Sequence, residues 1–408
     1  MEKKSLRTKD IAKGLFRLLW KSIASILLIA IAIFTATSIS PIYDFEKGKK
    51  FEGAEIYNPY QNIDTTTCWK RANFHTHTRV EGVMNECKYW PEETLKYYED
   101  LGYDIITFSN HNKLTTHPRS EELQVNLYEH GYNLFKFHKL VFGAEKVWHF
   151  DNLLPMLASQ KQFQIVQLLQ DADIIQLNHP LRTPTLSKSQ LEWLSGYRLI
   201  ELDSGKSTEN EYWDAALSAG RYCFGLANDD LHHPDRTYKI ARRCNFLCTP
   251  SGRYEDILRT LNEGCFYSMR LPDYGDGNWD IKRGKNQTLP YIKSIGLQDS
   301  VIFINLSESA CRIKMVGQDH ATLAEYTDCD SATYTMKLSD PYVRITAYFP
   351  DGEVIYTNPF ARYDSSLQES PFDNELPKID ILLTIIFNLL LLVLLMTEGY
   401  ILYKIIKR

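Results

Sequence analysis

His75 and His77 stand one residue apart in a short run that reads as the end of a strand, so their rings project to the same side. Two imidazoles held this way suit a divalent metal ion. The arrangement recurs downstream. His111, Glu145, His179, Asp230 and His232 also follow short apolar runs, and Asp230 and His232 repeat the period-two spacing. The chain has 11 histidines and five of them stand at such ends, which scattered structural histidines would rarely do. Imidazole and carboxylate without an ordered set of thiolates favour Zn, Mn or Fe over Cu(I) or a structural thiolate zinc. Seven ligands exceed the needs of one ion, so two or three divalent metal ions are expected, with Glu145 as the bridging carboxylate. Clustered ions bring bound water to hydroxide near neutral pH and clamp the oxygens of an in-line displacement, which suits phosphorus.

The elements that would carry these residues are short. Arg71-Ala72-Asn73-Phe74 leads to His75, the run from Tyr103 to Phe108 leads to His111, and the run from Lys139 to Gly143 leads to Glu145. Asp173 to Leu177 leads to His179, Arg198 to Leu202 leads to Asp203, and Tyr222 to Leu226 leads to Asp230. Between them, Pro91 opens a helix with acids in its first turn, and residues 121–137 and 160–169 carry helical spacing. Gly102 and Gly220 follow helices where a left-handed cap would sit. Strands alternating with helices predict a parallel sheet, and ligands at the C-terminal end of strand after strand predict a βα barrel. An open doubly wound sheet is the alternative, but it would not readily bring so many strand ends to one point. After about residue 271 the pattern changes to strands and turns and predicts a small β domain.

The motifs from residue 68 to 270 resemble those of the PHP (polymerase and histidinol phosphatase) family of metal-dependent phosphoesterases. Phe74-His75-Thr76-His77-Thr78 resembles the first motif, and the segment from Gly102 to Asn110-His111 the second. Val141-Phe142-Gly143-Ala144-Glu145 resembles the third, Leu177-Asn178-His179-Pro180 the fourth, and the segment from Gly225 to Asp230-Leu231-His232 the last. The resemblance implies a distorted (β/α)7 TIM-like barrel, followed here by a small β-sandwich-like domain. It also implies that His75, His77, Glu145 and Asp230 hold one ion, Glu145 and His179 a second, and His111 and His232 a third. His149 matches a position that often adds a ligand to the second ion. Glu81, in Glu81-Gly82, is the nearest match to an Asp-Gly that contributes to the third. Asn110 stands where the family usually has Asp, which implies tuning rather than inactivation. Catalysis is expected to rest on Glu145, Asp230 and His179, with Arg182 orienting phosphate because a guanidinium matches its geometry.

Both ends differ from the middle. Residues 22–40 and 379–403 are apolar enough to be membrane spans, and basic residues precede the first and follow the second. Both termini are therefore expected in the cytoplasm, and the catalytic domain outside it. The chain divides into a basic N-terminus 1–21, a span 22–40, a tether 41–67, the metallohydrolase region 68–270, the β domain 271–364, a linker 365–378, a span 379–403 and a tail 404–408. All eight cysteines fall between the spans, with their pairing open. A net charge of −5 and the lack of a basic stripe argue against a stable nucleic-acid partner.

The expected function is metal-dependent hydrolysis of a phosphate mono- or diester at a membrane. The substrate would be a phosphorylated small molecule, a lipid head group or an envelope glycan. An amidohydrolase-like metal hydrolase and a non-catalytic metal-binding module of a membrane complex are the alternatives.

Overall fold

The computed structural model describes residues 2–63, 69–82, 85–203, 210–372 and 375–407, with side chains from residue 11 onward. The expected Cys68 lies outside the described residues. The fold is mixed α/β with a long apolar helix at each end. Its strands are β1 (Lys70–Asn73), β2 (Ile105–Ile106), β3 (Leu127–His130), β4 (Lys139–Phe142), β5 (Ile174–Leu177), β6 (Leu199–Leu202), β7 (Phe224–Ala227), β8 (Arg243–Leu247) and β9 (Phe266–Arg270). These are followed by β10 (Ile292–Gln298), β11 (Val301–Val316), β12 (Thr322–Thr335), β13 (Tyr342–Tyr348), β14 (Val354–Thr357) and β15 (Phe360–Tyr363). The helices are α1 (Glu2–Thr37), α2 (Pro91–Glu99), α3 (Ala158–Leu168), α4 (Asn210–Ser218), α5 (Tyr254–Glu263), α6 (Trp279–Gln287) and α7 (Ile381–Lys407).

The site-bearing strands are short because each is buried on both faces. All four residues of β3, β4, β5, β6 and β7 are buried. Helix α2 begins with Pro91 at its first turn and Glu92 and Glu93 beside the positive end of its dipole. Gly220, after α4, has φ +80, and a Cβ there would lie 1.6 Å from the Lys49 carbonyl oxygen, so no other residue fits.

Strands β3 to β7 form one sheet in sequence order. Its first two pairings are antiparallel and its last two parallel. The larger sheet runs β10-β11-β13-β14-β9-β8-β1-β2, with β1 and β2 parallel. Two isolated parallel bridges, Thr76 to Leu231 and His111 to Glu129, join the two sheets where the histidines emerge.

The antiparallel pairing of β3 and β4 departs from the expected pattern. Residues 121–137, expected to be helical, contain only a short 3-10 turn before β3. The β domain expected at 271–364 shares its sheet with β1, β2, β8 and β9 rather than forming a separate sandwich. Its core is continuous with theirs, because Ile295, Ile313 and Ile345 pack in the same cluster as Tyr98, Ile106 and Met269. At the back of the domain, Arg344 on β13 donates to both oxygens of Asp214 on α4, at 2.7 and 2.6 Å, with both side chains buried. Among the described residues Cys87, Cys223, Cys244, Cys248, Cys265, Cys311 and Cys329 form no disulfide.

Helices α1 (over Ile11–Thr37) and α7 are long and apolar enough to cross a membrane. They pack on one another, and Thr35 Oγ1 donates to Glu398 at 2.9 Å between them. The tether between α1 and β1 is not loose. Tyr43–Asp44 pairs antiparallel with Lys378–Ile379, and Glu55–Tyr57 pairs with β15. Phe51 and Tyr60 are buried in the domain.

Candidate metal centre

Glu129, in the middle of β3, is the hub of a buried cluster. Its Oε2 lies 3.2 Å from His75 Nε2, 3.1 Å from His77 Nε2 and 3.1 Å from His111 Nε2. Its Oε1 lies 3.1 Å from His138 Nδ1 and 3.3 Å from His179 Nε2. Asp230 Oδ1 completes one side, 3.3 Å from both His75 Nε2 and His77 Nε2. Ligand atoms bound to one ion at about 2.0–2.2 Å are separated from one another by roughly 3–3.5 Å, so these spacings are those of a coordination shell. Three groups could each hold an ion: His75, His77, Glu129 and Asp230; His77, Glu86 and His232; and His111, Glu129 and His138. Glu129 and His77 are each shared between two groups.

Several ring nitrogens test the fit. His75 Nε2 and both nitrogens of His77 are buried without a hydrogen-bond partner. Leaving such atoms unsatisfied costs about 1–3 kcal/mol each, and a divalent cation is a partner that suits them together with the carboxylates. The buried histidine, glutamate and aspartate side chains therefore form a cluster suited to divalent metal ions.

The surroundings orient the ligands. Glu201 on β6 accepts from His75 Nδ1 at 2.7 Å and from the backbone N–H of His179 at 2.8 Å. The first bond directs His75 Nε2 to the cluster, the role that carboxylates play behind metal-bound histidines. Asn73 accepts from the His75 N–H at 3.1 Å, and Asn228 from the Phe74 N–H at 3.0 Å, which satisfies backbone where strands part. Asn110 accepts from the Thr78 N–H at 2.8 Å and donates to Thr115 Oγ1 at 2.7 Å, so it holds loops rather than ions. Asp229 is spent on the backbone N–H groups of Ala241, Arg242 and Arg243 and on the Tyr98 hydroxyl. His179 and Asp230 have positive φ, 28° and 49°. Such strain costs about 1–3 kcal/mol per residue and is typical of sites whose ligands must turn inward.

The electrostatics set the carboxylates apart as anions and divide the imidazoles. Burial alone would raise Glu129, but His111, His75 and His138 hold its carboxyl well below the usual range. Asp230 is likewise held well below it, against burial, by His75 and His77. Burial pushes His111 down to about 3 and His232 down to about 4. His77 is raised to about 9 because the Asp230 and Glu129 carboxylates that face its ring outweigh its burial.

The cluster opens into a cleft of about 380 Å³ lined by Glu86, Lys136, Arg182, His232 and Arg242 among others. Arg182 pairs with Asp230 Oδ2, on the side of that carboxylate away from His75 and His77. A guanidinium poised there can meet an anionic oxygen presented to the cluster.

The sequence-predicted residues divide. His75, His77, His111, His179, Asp230 and His232 come together, with Arg182 beside them. Glu145, His149 and Glu81 are exposed and belong to none of the three groups. For Glu145 the reason is strand direction. Lys139 pairs with Leu177 and Phe142 with Ile174, so the start of β4 lies at the site and its end points away. His138, before β4, takes the position expected of His149. Glu129 takes that of Glu145. Glu86, whose Oε2 lies 3.4 Å from both His77 Nδ1 and His111 Nε2, stands where Glu81 was expected. The sequence signal for Glu129 was confined to the glycine that follows Tyr128-Glu129-His130; in the structure Gly131 has a φ of 121 and marks a turn.

No protein-family model matches the chain, and no curated protein matches it. Among solved structures it is similar to a two-domain protein from Bacteroides vulgatus ATCC 8482 containing a predicted PHP-like metal-dependent phosphoesterase. The identity is 14% and the TM-score 0.37, over 78% of this chain and 100% of that one.

Proposed function

We propose that the chain is a metal-dependent phosphoesterase of the PHP family, mounted on a membrane by α1 and α7 with its site outside the cytoplasm. The observation that carries this reading is the convergence of five buried or nearly buried imidazoles on Glu129. The sharing of Glu129 and His77 between ligand groups supports two or three ions, of the Zn, Mn or Fe kind. When bound, such ions supply a lowered pKa for water and Lewis acidity toward phosphoryl oxygens. The chain's own residues orient and exclude. Arg182 takes an anionic oxygen, Glu201 fixes His75, and the buried wall of β3 to β7 keeps bulk water from the hub. Seven strands, β1 to β7, with bridges at Thr76–Leu231 and His111–Glu129, support a distorted (β/α)7 barrel. The basic flanks of both apolar helices support the orientation.

Release of the alcohol leaving group from a panel of mono- and diesters by the full chain in detergent, with Mn²⁺ or Zn²⁺, tests the reading beside Glu129→Gln. Turnover by the wild type that the substitution abolishes is expected. A folded, metal-loaded chain that cleaves no ester in the panel would overturn it.

A further inference from the structure

One segment lies a single residue from the site and grips the first apolar helix. Asn152 Nδ2 donates to the Thr37 carbonyl at 2.6 Å, and Gln160 Nε2 to the Ser38 carbonyl at 3.4 Å. From the same segment Asp151 accepts from the Tyr132 N–H at 2.8 Å, and the Leu153 carbonyl accepts from the Leu134 N–H at 3.1 Å. Tyr132 in turn donates its hydroxyl to the His111 carbonyl at 3.0 Å, and its ring lies 5.1 Å from the His111 ring. A single residue therefore separates a ligand of the cluster from the stretch that holds the helix end.

This stretch exposes apolar side chains. Leu134 is 63% exposed, Met156 56% and Leu157 41%, with Phe150 and Tyr132 exposed beside them. Single exposed apolar residues are ordinary, but several on hydrogen-bonded neighbouring segments mark an interaction surface.

Helix α7 sets the level of that surface. Asn388 sits beside Ser40, accepting from its N–H at 3.3 Å and donating to its carbonyl at 3.2 Å. Helix α7 starts at Ile381, seven residues nearer the domain, or about 10 Å along the axis. Its first turns expose Ile381, Leu382 and Ile385. A bilayer whose head-group layer takes in these turns has its hydrocarbon boundary near Ser40, beside Thr37 and Ser38, to which Asn152 and Gln160 are bonded. The length agrees: Asn388 to Lys407 spans about 30 Å, against a hydrocarbon core of about 30 Å.

We propose that residues 150–157, with Tyr132 and Leu134, seat in the head-group boundary of the bilayer that holds α1 and α7, and that the metal site acts on phosphate esters carried by membrane lipids. The substrate half rests on the phosphoesterase reading above. Through Tyr132, which touches both this segment and His111, the seat holds the site beside the head-group layer, an advantage that a freely dissolved ester does not share.

The test uses the full chain in phosphatidylcholine vesicles containing phosphatidic acid, with p-nitrophenyl phosphate as the dissolved ester. The variant Leu134→Asp, Met156→Asp, Leu157→Asp changes only exposed side chains. Its phosphatidic acid turnover is expected to fall about tenfold or more, with p-nitrophenyl phosphate turnover unchanged. Unchanged turnover of both esters, or an equal loss on both, overturns the proposal. If the wild type cleaves neither ester, the phosphoesterase reading falls and the substrate half with it. The seat is then decided by a phospholipid carrying a photoactivatable group near its head. Adducts within residues 150–157 support the seat, and adducts confined to α1 and α7 overturn it.

Discussion

Glu201 accepts a hydrogen bond from His75 Nδ1 at 2.7 Å, and this bond leaves Nε2 of the same ring facing Glu129 and Asp230. The two residues come from strands at different places in the chain, and Glu201 is not itself a member of any ligand group. Its other oxygen ties down the backbone of His179. Replacing Glu201 with Gln removes one of these two acceptors. Metal affinity is expected to fall roughly 10–100-fold, as for other carboxylates behind ligating histidines. Metal titration of the full chain, read by competition with a chromogenic chelator, measures this. Unchanged affinity would show that His75 needs no such partner.

Glu129 and Glu145 give opposite expectations for one substitution. Glu129→Gln removes the shared carboxylate, so metal content and turnover are both lost. Glu145→Gln alters an exposed side chain and is expected to shift stability by no more than about 0.5 kcal/mol. Metal content by elemental analysis separates the two directly.

Arg182 is expected to act through fork geometry and not charge alone. Arg182→Lys keeps the charge but loses the planar pair of donors. It should raise KM for a phosphate ester by about tenfold, a loss of about 1.4 kcal/mol in binding. Steady-state kinetics of the metal-loaded chain tests this, and a KM equal to that of the wild type would place Arg182 outside substrate contact.

Asp214 makes an acid-sensitive contact remote from the cluster. Burial alone would raise its pKa, but Arg344 holds it below the usual carboxylate value. A depressed folded pKa means that the pair stabilises above the unfolded value of about 3.9 and that this is lost as pH falls through the folded one. Asp214→Asn leaves the Arg344 guanidinium buried without its charge partner, at a cost of about 3–5 kcal/mol near neutral pH. Urea denaturation midpoints of variant and wild type should converge as pH falls below the ordinary carboxylate range, where the Asp214 carboxyl protonates. Parallel curves would contradict the assignment.

The sequence was most legible where a ligand follows a strand of simple direction. His75, His77, His111, His179, Asp230 and His232 sit beyond strands that the apolar runs had marked, and those strands fell within a few residues of expectation. The carboxylate hub was hidden because a strand reverses. Nothing in Lys139 to Phe142 announces which end faces the ligands. That is decided by pairing with β3, a segment whose Leu127-Tyr128-Glu129-His130 is buried throughout and shows no alternation to betray a strand. Glu86 was missed for another reason. It lies on a loop, and a loop residue is brought to a site by chain path rather than by periodicity. The continuity of β10 to β15 with the inner strands was equally unreadable, since a sheet's neighbours are a tertiary choice.

On the proposed membrane mounting, the hold of the domain on its two terminal helices has a kinetic consequence. Ser40 bonded to Asn388, Ile42 bonded to Thr384, and the short pairing of Tyr43–Asp44 with Lys378–Ile379 leave little freedom to swing. A protein on a leash samples a volume and meets its targets in three dimensions. One set on a stiff pedestal sweeps a plane at fixed height, and its encounters are governed by lateral drift of both parties rather than by tumbling. Inserting a few flexible residues near Ile42 would turn the pedestal into a leash without touching the ligands, and would trade planar search for reach.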